Sequence, residues 1–299
     1  MSPKTDTPSE PERTRLTDLL RRHGLKTTKS LGQHFLIDDE VLHTIAHSLE
    51  PGPGSDVVEI GSGAGNLAVM LSLSGAKVTA LEVDRKFELL HREIQLSPGG
   101  MTERLRWQYM DALDFDYAAA ARATHELGRR FLIAGNIPYQ ITSPLIMKIL
   151  ESGAAFDCMV LMIQREVAER LAATPGGRKS GAITIKVQYY CTVEPVLDVP
   201  PEAFLPPPEV HSRVLRFVRK ESDMDHNPPK FFRLVEAAFM HRRKTLVNAV
   251  SSGTLGYSRE QLEEALAAIG LSARVRAEEL GVAAFIALQQ HLDGSAAAG

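Results

Sequence analysis

The chain has 299 residues, of which 44% are hydrophobic and 24% charged, as is usual for a soluble globular protein of one large or two ordinary domains. No apolar run approaches the roughly 20 residues of a membrane span, and the polar N-terminus has no signal-peptide core, so we predict no membrane partner. Cys158 and Cys191 form no metal-ligand or CxxC pattern and stand in apolar contexts, which predicts buried reduced thiols and a cytoplasmic protein. The formal net charge of −3 is not typical of a protein that binds nucleic acid.

The N-terminal part is expected to contain little regular structure. Polar residues and prolines fill the first positions, and we predict a disordered tail over 1–12. A short helix is expected over 13–23. Asp38 can cap a second helix over about 39–49, because an Asp side chain accepts from the unpaired N–H groups of a first helical turn. The run Pro51-Gly52-Pro53-Gly54 then breaks the chain.

Strand and helix patterns alternate after this break. Strands are predicted at 57–60, 77–82, 105–110, 131–134 and 156–162, and the helices that follow them end near residues 73, 96, 127, 151 and 173. This alternation predicts a parallel, doubly wound α/β sheet. After a helix at 181–190, strands at 193–199 and 213–218 are expected to pair antiparallel at one edge, which gives a mostly parallel, seven-stranded, Rossmann-like sheet.

The C-terminal part shows only helical patterns, over about 230–250, 259–269 and 276–291. We therefore divide the chain into an N-terminal helix and α/β domain over 13–222, a small all-α domain over 223–292 and a disordered tail over 293–299.

Polar groups follow four successive strands of the predicted sheet. They are the loop Gly61-Ser62-Gly63-Ala64-Gly65, Glu82, Asp111 and Asn136. Ligands of open α/β sheets bind at the carboxyl ends of the strands. Asn66 stands where the dinucleotide fingerprint continues, so the third glycine of a pyrophosphate site is missing. A carboxylate at Glu82 can bind both hydroxyls of a ribose, and one at Asp111 can accept from an adenine amino group. The series fits S-adenosylmethionine better than NAD.

The tetrapeptide Asn136-Ile137-Pro138-Tyr139 follows a buried strand and indicates the chemistry. The Asn136 side-chain oxygen and the Ile137 carbonyl can accept both hydrogens of an exocyclic amine. Pro138 stiffens the turn, and the Tyr139 ring can stack on a planar base. Holding an amine in line with a methyl donor is catalysis by orientation.

Four motifs stand in the order seen in rRNA adenine N6-dimethyltransferases, and the chain resembles most closely the KsgA/RsmA type, which dimethylates two adjacent adenosines near the 3′ end of small-subunit (16S) rRNA. The motifs are Ser30-Leu31-Gly32-Gln33-His34-Phe35-Leu36-Ile37-Asp38, Glu59-Ile60-Gly61-Ser62-Gly63-Ala64-Gly65, Gly135-Asn136-Ile137-Pro138-Tyr139 and Phe204-Leu205-Pro206-Pro207-Pro208-Glu209-Val210-His211-Ser212.

This resemblance implies an S-adenosylmethionine-dependent methyltransferase fold, no metal, and Phe204 as the stacking face opposite Tyr139. It also implies cofactor contacts at His34, Leu36, Gly61, Gly63, Glu82, Asp111 and Asn136. Two positions depart from the family pattern. His34 stands where many members have Asn, and Gln140 stands where Asn is frequent.

Two basic segments flank an acidic middle, which favours an RNA partner. Residues 1–36 carry seven Lys/Arg against four Asp/Glu, and residues 204–250 carry nine against five. We predict phosphate contacts from Lys26 and Lys29, from Arg213, Arg216 and Arg219 along one face of a strand, and from Arg242, Arg243 and Lys244 in the helix that begins near 230. The expected partner is small-subunit rRNA within a pre-30S subunit, bound by a monomer.

Three other interpretations stay open. A large-subunit (23S) rRNA adenine methyltransferase of the kind that confers macrolide resistance shares the fold and the tetrapeptide. A non-catalytic RNA- or DNA-binding factor could use the same fold. An NAD dehydrogenase fits least, because the dinucleotide fingerprint is incomplete.

Overall fold

The computed structural model describes residues 18, 20–25, 33–96, 103–175, 177, 179–220, 228–241 and 243–297, with side chains to residue 294. The predicted tail over 1–12 and most of the predicted first helix lie outside these residues, and Asp18 and 20–22 are helical. Within the described chain no helix is long and apolar enough to cross a membrane.

The strands are β1 (Phe35–Leu36), β2 (Ser55–Ile60), β3 (Lys77–Glu82), β4 (Leu105–Tyr109), β5 (Arg130–Asn136), β6 (Cys158–Gln164), β7 (Cys191–Val199), β8 (Phe204–Leu205) and β9 (Ser212–Arg219). The helices are α1 (Asp39–Leu49), α2 (Asn66–Leu73), α3 (Glu88–Leu96), α4 (Tyr117–Glu126), α5 (Thr142–Glu151), α6 (Arg165–Leu171), α7 (Ala182–Tyr190), α8 (Pro228–Phe239), α9 (Leu246–Ser251), α10 (Arg259–Ala268) and α11 (Val282–Ala297). Asp38 caps α1 as predicted, by accepting a hydrogen bond from the Val41 amide over 3.1 Å.

Seven strands form one sheet in the order β4-β3-β2-β5-β6-β9-β7. Strands β2 to β6 pair in parallel, and β9 runs antiparallel to β6. This confirms the predicted mostly parallel, seven-stranded sheet, with β9 and β7 at one edge. The chain builds outward from β2 to β4 and then returns to place β5 on the other side of β2. The carboxyl ends of β2 and β5 therefore meet at the point where strand order reverses, which is where open α/β sheets bind ligands.

The centre of the sheet is buried on both faces. Six of the seven residues of β6 are buried, and so are Val57, Val58 and Ile60 of β2. A continuous apolar run rather than an alternating one is what a strand covered on both faces requires. The Asp157 carboxylate accepts from the Phe131 amide at the start of β5, over 2.8 Å, and so joins the two strands where their pairing begins.

The described residues form two compact units, one within 1–168 and 192–219 and one within 169–191 and 220–299. This division differs from the predicted boundary at 222/223, because 169–191 belong to the helical unit. In that unit the α7 residues Ile185 and Tyr189 share a core with Phe231 of α8. The apolar side of α7 is thereby removed from water, which the short segment could not achieve by itself.

The predicted single helix over 230–250 is wrong. It is two helices, α8 and α9, and His241, Arg243 and Lys244 of the basic run lie in the turn between them. Thr245 begins α9, since its hydroxyl accepts from the Asn248 amide over 3.3 Å. The Leu246 amide then donates to the Val275 carbonyl over 2.8 Å, a partner 29 residues away that the local sequence does not indicate.

The predicted disordered tail over 293–299 is also revised. Helix α11 continues to Ala297, and only the last two residues lie outside the described chain. Alanine has the highest helix propensity of all residues, so the run after Ser295 extends the helix instead of ending it.

Candidate active site

The glycine loop crosses the carboxyl end of β2 in a backbone conformation that requires glycine. Gly63 has φ 52° and Gly65 has φ 91°, both in the left-handed region. A Cβ atom at Gly65 would lie 2.7 Å from the Trp107 ring. The loop therefore packs against Trp107 of β4 at Gly65, while Gly61 and Gly63 line a cavity.

Glu82 ends β3 and is buried, with 5% of its surface exposed. Its Oε2 accepts from the Gly63 amide over 2.7 Å, and its Oε1 accepts from the Asp84 amide over 2.9 Å. Burial raises the pKa of Glu82 above its ordinary value, and these backbone N–H groups act to lower it. Each carboxylate oxygen keeps a lone pair, so the group can accept from two ribose hydroxyls while the loop holds it in place.

A cavity of about 210 Å³ opens at these strand ends. Its walls contain all but one of the predicted cofactor residues together with the predicted catalytic tetrapeptide. These residues are His34, Gly61, Gly63, Glu82, Asp111, Asn136, Ile137, Pro138 and Tyr139. Leu36 instead lines a smaller neighbouring cavity of about 50 Å³ beneath the glycine loop. Asp111 is exposed, and its Oδ1 accepts from the Leu113 amide over 2.8 Å.

The orientation of the Asn136 amide follows from its hydrogen bond. Its Nδ2 donates to the His34 carbonyl over 3.0 Å, and a carbonyl can only accept. The Oδ1 oxygen therefore remains as the acceptor that this side chain presents to a ligand. The Ile137 amide donates to the Met162 carbonyl of β6 over 3.0 Å, which fixes the start of the turn. The Pro138 carbonyl accepts from the Ile141 amide over 3.1 Å, which closes it.

Tyr139 presents an aromatic ring at the cavity wall. Its hydroxyl and the Ser212 hydroxyl are hydrogen-bonded over 3.1 Å, and burial raises the pKa of Tyr139, so the ring is held as a neutral phenol. The ring beside it belongs to His34, with centroids 6.3 Å apart and planes 22° from parallel. His34 Nδ1 donates to the Pro206 carbonyl over 2.8 Å, which anchors that ring to the proline-rich segment.

Phe204 does not line this cavity, which differs from the prediction. Its side chain is only 1% exposed and belongs to the apolar core of the sheet unit. The reason is that β8 pairs antiparallel with β1, with Phe204 opposite Leu36. This pairing holds a residue of the proline-rich segment against a segment 168 positions earlier, so the ring packs inward.

The arginines of β9 do not share one face, so that prediction is wrong. Side chains alternate with a period of two along a strand, and a spacing of three places Arg216 on the side opposite Arg213. Arg213 makes two hydrogen bonds to Asp198 of β7, over 2.5 and 2.9 Å. Arg216 donates to the Ser48 carbonyl over 3.0 Å and lies 3.6 Å from Glu194. Both therefore stabilise the edge of the sheet.

The other predicted phosphate contacts lie elsewhere. Arg243 and Lys244 are exposed in the turn between α8 and α9. Lys26, Lys29 and Arg242 lie outside the described residues.

No role was predicted from the sequence for two buried residues near the glycine loop, Glu59 and His91. Glu59 of β2 is 2% exposed, its Oε2 has no hydrogen-bond partner, and burial, with a smaller contribution from Glu82, raises its pKa to about 8. His91 of α3 is 1% exposed and contacts the loop. A carboxylate inside an apolar strand was a visible signal for Glu59. Nothing in the local pattern distinguished His91 from any other helix residue.

The chain is similar to known proteins over most of its length. A model of the family described as "Ribosomal RNA adenine dimethylase" matches residues 24–292. "Ribosomal RNA small subunit methyltransferase A" of Desulfitobacterium hafniense (strain DSM 10664 / DCB-2) is 42% identical over 276 residues, which cover 92% of this chain and 95% of that protein. The protein of the same name from Geobacillus kaustophilus is 37% identical, with 93% and 95% covered.

Solved structures show the same fold. A dimethyladenosine transferase from Plasmodium falciparum superposes with a TM-score of 0.73 at 26% identity, over 86% of this chain and 96% of that one. The 23S rRNA methyltransferase ErmE superposes with a TM-score of 0.67 at 22% identity, over 87% and 99%. The second likeness shows the fold alone.

Proposed function

The chain belongs to the ribosomal RNA adenine dimethylase family, and we propose that it dimethylates N6 of two adjacent adenosines in the 3′-terminal hairpin of small-subunit (16S) rRNA, with S-adenosylmethionine as methyl donor. One observation carries this proposal. The tetrapeptide that can hold an exocyclic amine and the two carboxylates that can hold an adenosine line the same cavity of about 210 Å³.

The residues of this cavity fit the cofactor. Glu82 is held by two backbone amides and keeps acceptor capacity on both oxygens for a ribose. Asp111 has one oxygen engaged by Leu113 and the other available for an adenine amino group. When bound, S-adenosylmethionine supplies a methyl group on a sulfonium that is electrophilic without a metal ion.

The chain itself must make the acceptor nitrogen reactive, because the lone pair of adenine N6 is delocalised into the ring. Asn136 Oδ1 and the Ile137 carbonyl accept the two N6 hydrogens in this proposal, which favours a pyramidal nitrogen with its lone pair directed at the donor. Tyr139 stacks on the base that has left the RNA helix. Fixing the amine in line accelerates transfer by orientation, and no side chain need form a covalent bond.

The substrate is folded RNA, and electrostatics contributes to its binding. Arg243 and Lys244 are exposed and suited to phosphate contacts that position the RNA without reading its sequence. We further propose that the substrate is rRNA within a pre-30S subunit. The protein acts as a monomer in the cytoplasm in this proposal.

The function is tested by mass spectrometry of small-subunit rRNA after incubation of unmethylated subunits with the protein and S-adenosylmethionine. We expect N6,N6-dimethyladenosine at two adjacent positions of the 3′-terminal hairpin. Methylation of separated large subunits instead would support the 23S alternative. Cofactor binding without transfer to either subunit would support the non-catalytic alternative.

A further inference from the structure

His91 contacts the glycine loop through one ring nitrogen and Tyr109 of β4 through the other. Its Nε2 is 2.8 Å from the Gly63 carbonyl, and its Nδ1 is 2.9 Å from the Tyr109 hydroxyl. The imidazole also stacks on the Trp107 ring, with centroids 3.6 Å apart and planes 6° from parallel. A side chain that is 1% exposed and fixed in three directions has a single orientation.

The hydrogen bonds determine the tautomer of this imidazole. The Gly63 carbonyl can only accept, so Nε2 carries the proton, and Nδ1 must then accept from the Tyr109 hydroxyl. Burial lowers the pKa of His91 to about 4, which agrees with a neutral ring. His91 is therefore a neutral donor that holds the Gly63 carbonyl.

Gly63 also contacts Glu82, the residue proposed to bind the ribose, through its backbone amide. The Gly63 amide donates to Glu82 Oε2 over 2.7 Å. A continuous chain of hydrogen bonds thus runs from Tyr109 through His91 and Gly63 to Glu82.

We propose that His91 is a positioning residue that fixes Gly63 and, through it, the Glu82 carboxylate in the geometry that binds the cofactor ribose. This inference rests on the proposed contact between Glu82 and that ribose. Loss of the donor leaves the Gly63 carbonyl without its His91 partner and lets the loop relax. Cofactor binding must then restore an arrangement that the native protein holds in advance.

The test compares two substitutions in the full-length protein. His91→Phe keeps a ring that can stack on Trp107 but removes the donor, and His91→Gln restores an N–H donor at a similar reach. The dissociation constant of S-adenosylmethionine is measured by calorimetry. We expect His91→Phe to weaken binding about tenfold and His91→Gln to stay within about threefold of the native value, since His91→Phe removes one hydrogen bond and His91→Gln keeps it. Equal affinity of His91→Phe and the native protein would overturn the inference, and so would equal weakening by both substitutions.

Two further variants separate positioning from general stability. Tyr109→Phe removes only the hydroxyl that His91 accepts from, and we expect about threefold weaker binding. An unchanged dissociation constant in this variant contradicts the proposed chain of hydrogen bonds even if His91→Phe fails to fold. Ile149→Ala creates a cavity at a fully buried residue of α5 that does not line the candidate site. It should lower the unfolding temperature without weakening cofactor binding.

These measurements use the cofactor alone. A protein that binds S-adenosylmethionine but leaves rRNA unmethylated would contradict the proposed function without touching this inference. Unchanged cofactor affinity in Glu82→Ala would instead contradict the ribose contact on which the inference depends.

Discussion

At the residue scale, the site depends on side chains that are oriented by backbone groups rather than by one another. The His34 carbonyl orients the Asn136 amide, the Gly63 and Asp84 amides hold the Glu82 carboxylate, and the Pro206 carbonyl anchors the His34 ring. Backbone partners move less than long side chains, so the acceptors face the cavity before any ligand arrives. Orientation of this kind is what the proposed transfer requires.

Asn136→Ala tests the acceptor role directly. The substitution removes Oδ1, and we expect methyl transfer to fall at least about a hundredfold, as when one preorganised polar group is removed from an active site. Cofactor binding should remain partly intact, because Glu82 and Asp111 are unchanged. Initial rates on small subunits and calorimetric binding provide the two measurements. Native rates in the variant would exclude the proposed role.

Glu59→Gln tests the buried carboxyl behind the loop. Because the pKa of Glu59 rises from 4.5 to about 8 on folding, the folded protein keeps a proton that the unfolded chain loses. Native stability is therefore full below about pH 4.5 and falls as the pH rises through 8. The Gln variant has no ionisable group at this position. Its free energy of unfolding at pH 8 should therefore exceed that of the native protein by on the order of a few kcal/mol. Urea unfolding at pH 5 and pH 8 measures this, and parallel pH profiles would disprove it.

At the element scale, the site exists because β5 returns to the strand that begins the sheet. The register pairs Ile60 with Gly135, so the glycine loop and Asn136 leave adjacent strands at the same height. A Cβ atom at Gly135 would lie 2.6 Å from the Ile60 carbonyl oxygen. Two backbones thus approach more closely than any side chain would allow, and the two halves of the site depend on that approach.

Gly135→Ala should therefore force β5 away from β2. We expect a loss of about 1–3 kcal/mol of unfolding free energy, which is typical of overpacking a well-packed core, together with weaker cofactor binding. Gly52→Ala is the matched control, because a Cβ atom there has no heavy atom within 4 Å. Chemical denaturation of both variants gives the comparison. Equal stabilities would show that the sheet accommodates the methyl group.

At the scale of the whole molecule, the two units have different surfaces. In the sheet unit, Arg213 and Arg216 make hydrogen bonds to other residues of the same unit. The helical unit exposes Arg243 and Lys244 in the turn before α9, whose first residue, Leu246, donates to the Val275 carbonyl. We therefore propose that Arg243 and Lys244 of the helical unit make phosphate contacts and that the β9 arginines stabilise the sheet unit.

The double substitution Arg243→Ala with Lys244→Ala should weaken binding to small subunits and reduce the slope of log affinity against log salt by about 2. The affinity for S-adenosylmethionine should not change. Arg259→Ala is the control, since that exposed arginine of the same unit already bonds to Asn248 over 2.6 Å. Filter binding over a salt series measures all three proteins. An unchanged slope in the double variant would contradict the proposed phosphate contacts.

Much of the fold and of the candidate site could be predicted from the sequence. The alternation of strands and helices, the parallel sheet and the groups at four strand ends are local properties, because hydrophobic periodicity and turn residues act within a few positions. Cavity residues such as Glu82, Asp111 and Asn136 could be predicted since parallel strands bring their carboxyl ends to one edge. The identity of the expected substrate, small-subunit rRNA, was predicted from the resemblance of four ordered motifs to a known family.

Only the tertiary structure decided which side chains reach that cavity and which are buried around it. Phe204 lies in the core because β8 pairs with β1, and residues 169–191 belong to the helical unit because Ile185 and Tyr189 complete its core. His91 contacts the glycine loop 28 positions earlier. Such contacts depend on pairings between distant segments, whose free energy comes from burial and hydrogen bonds that no local window of sequence contains.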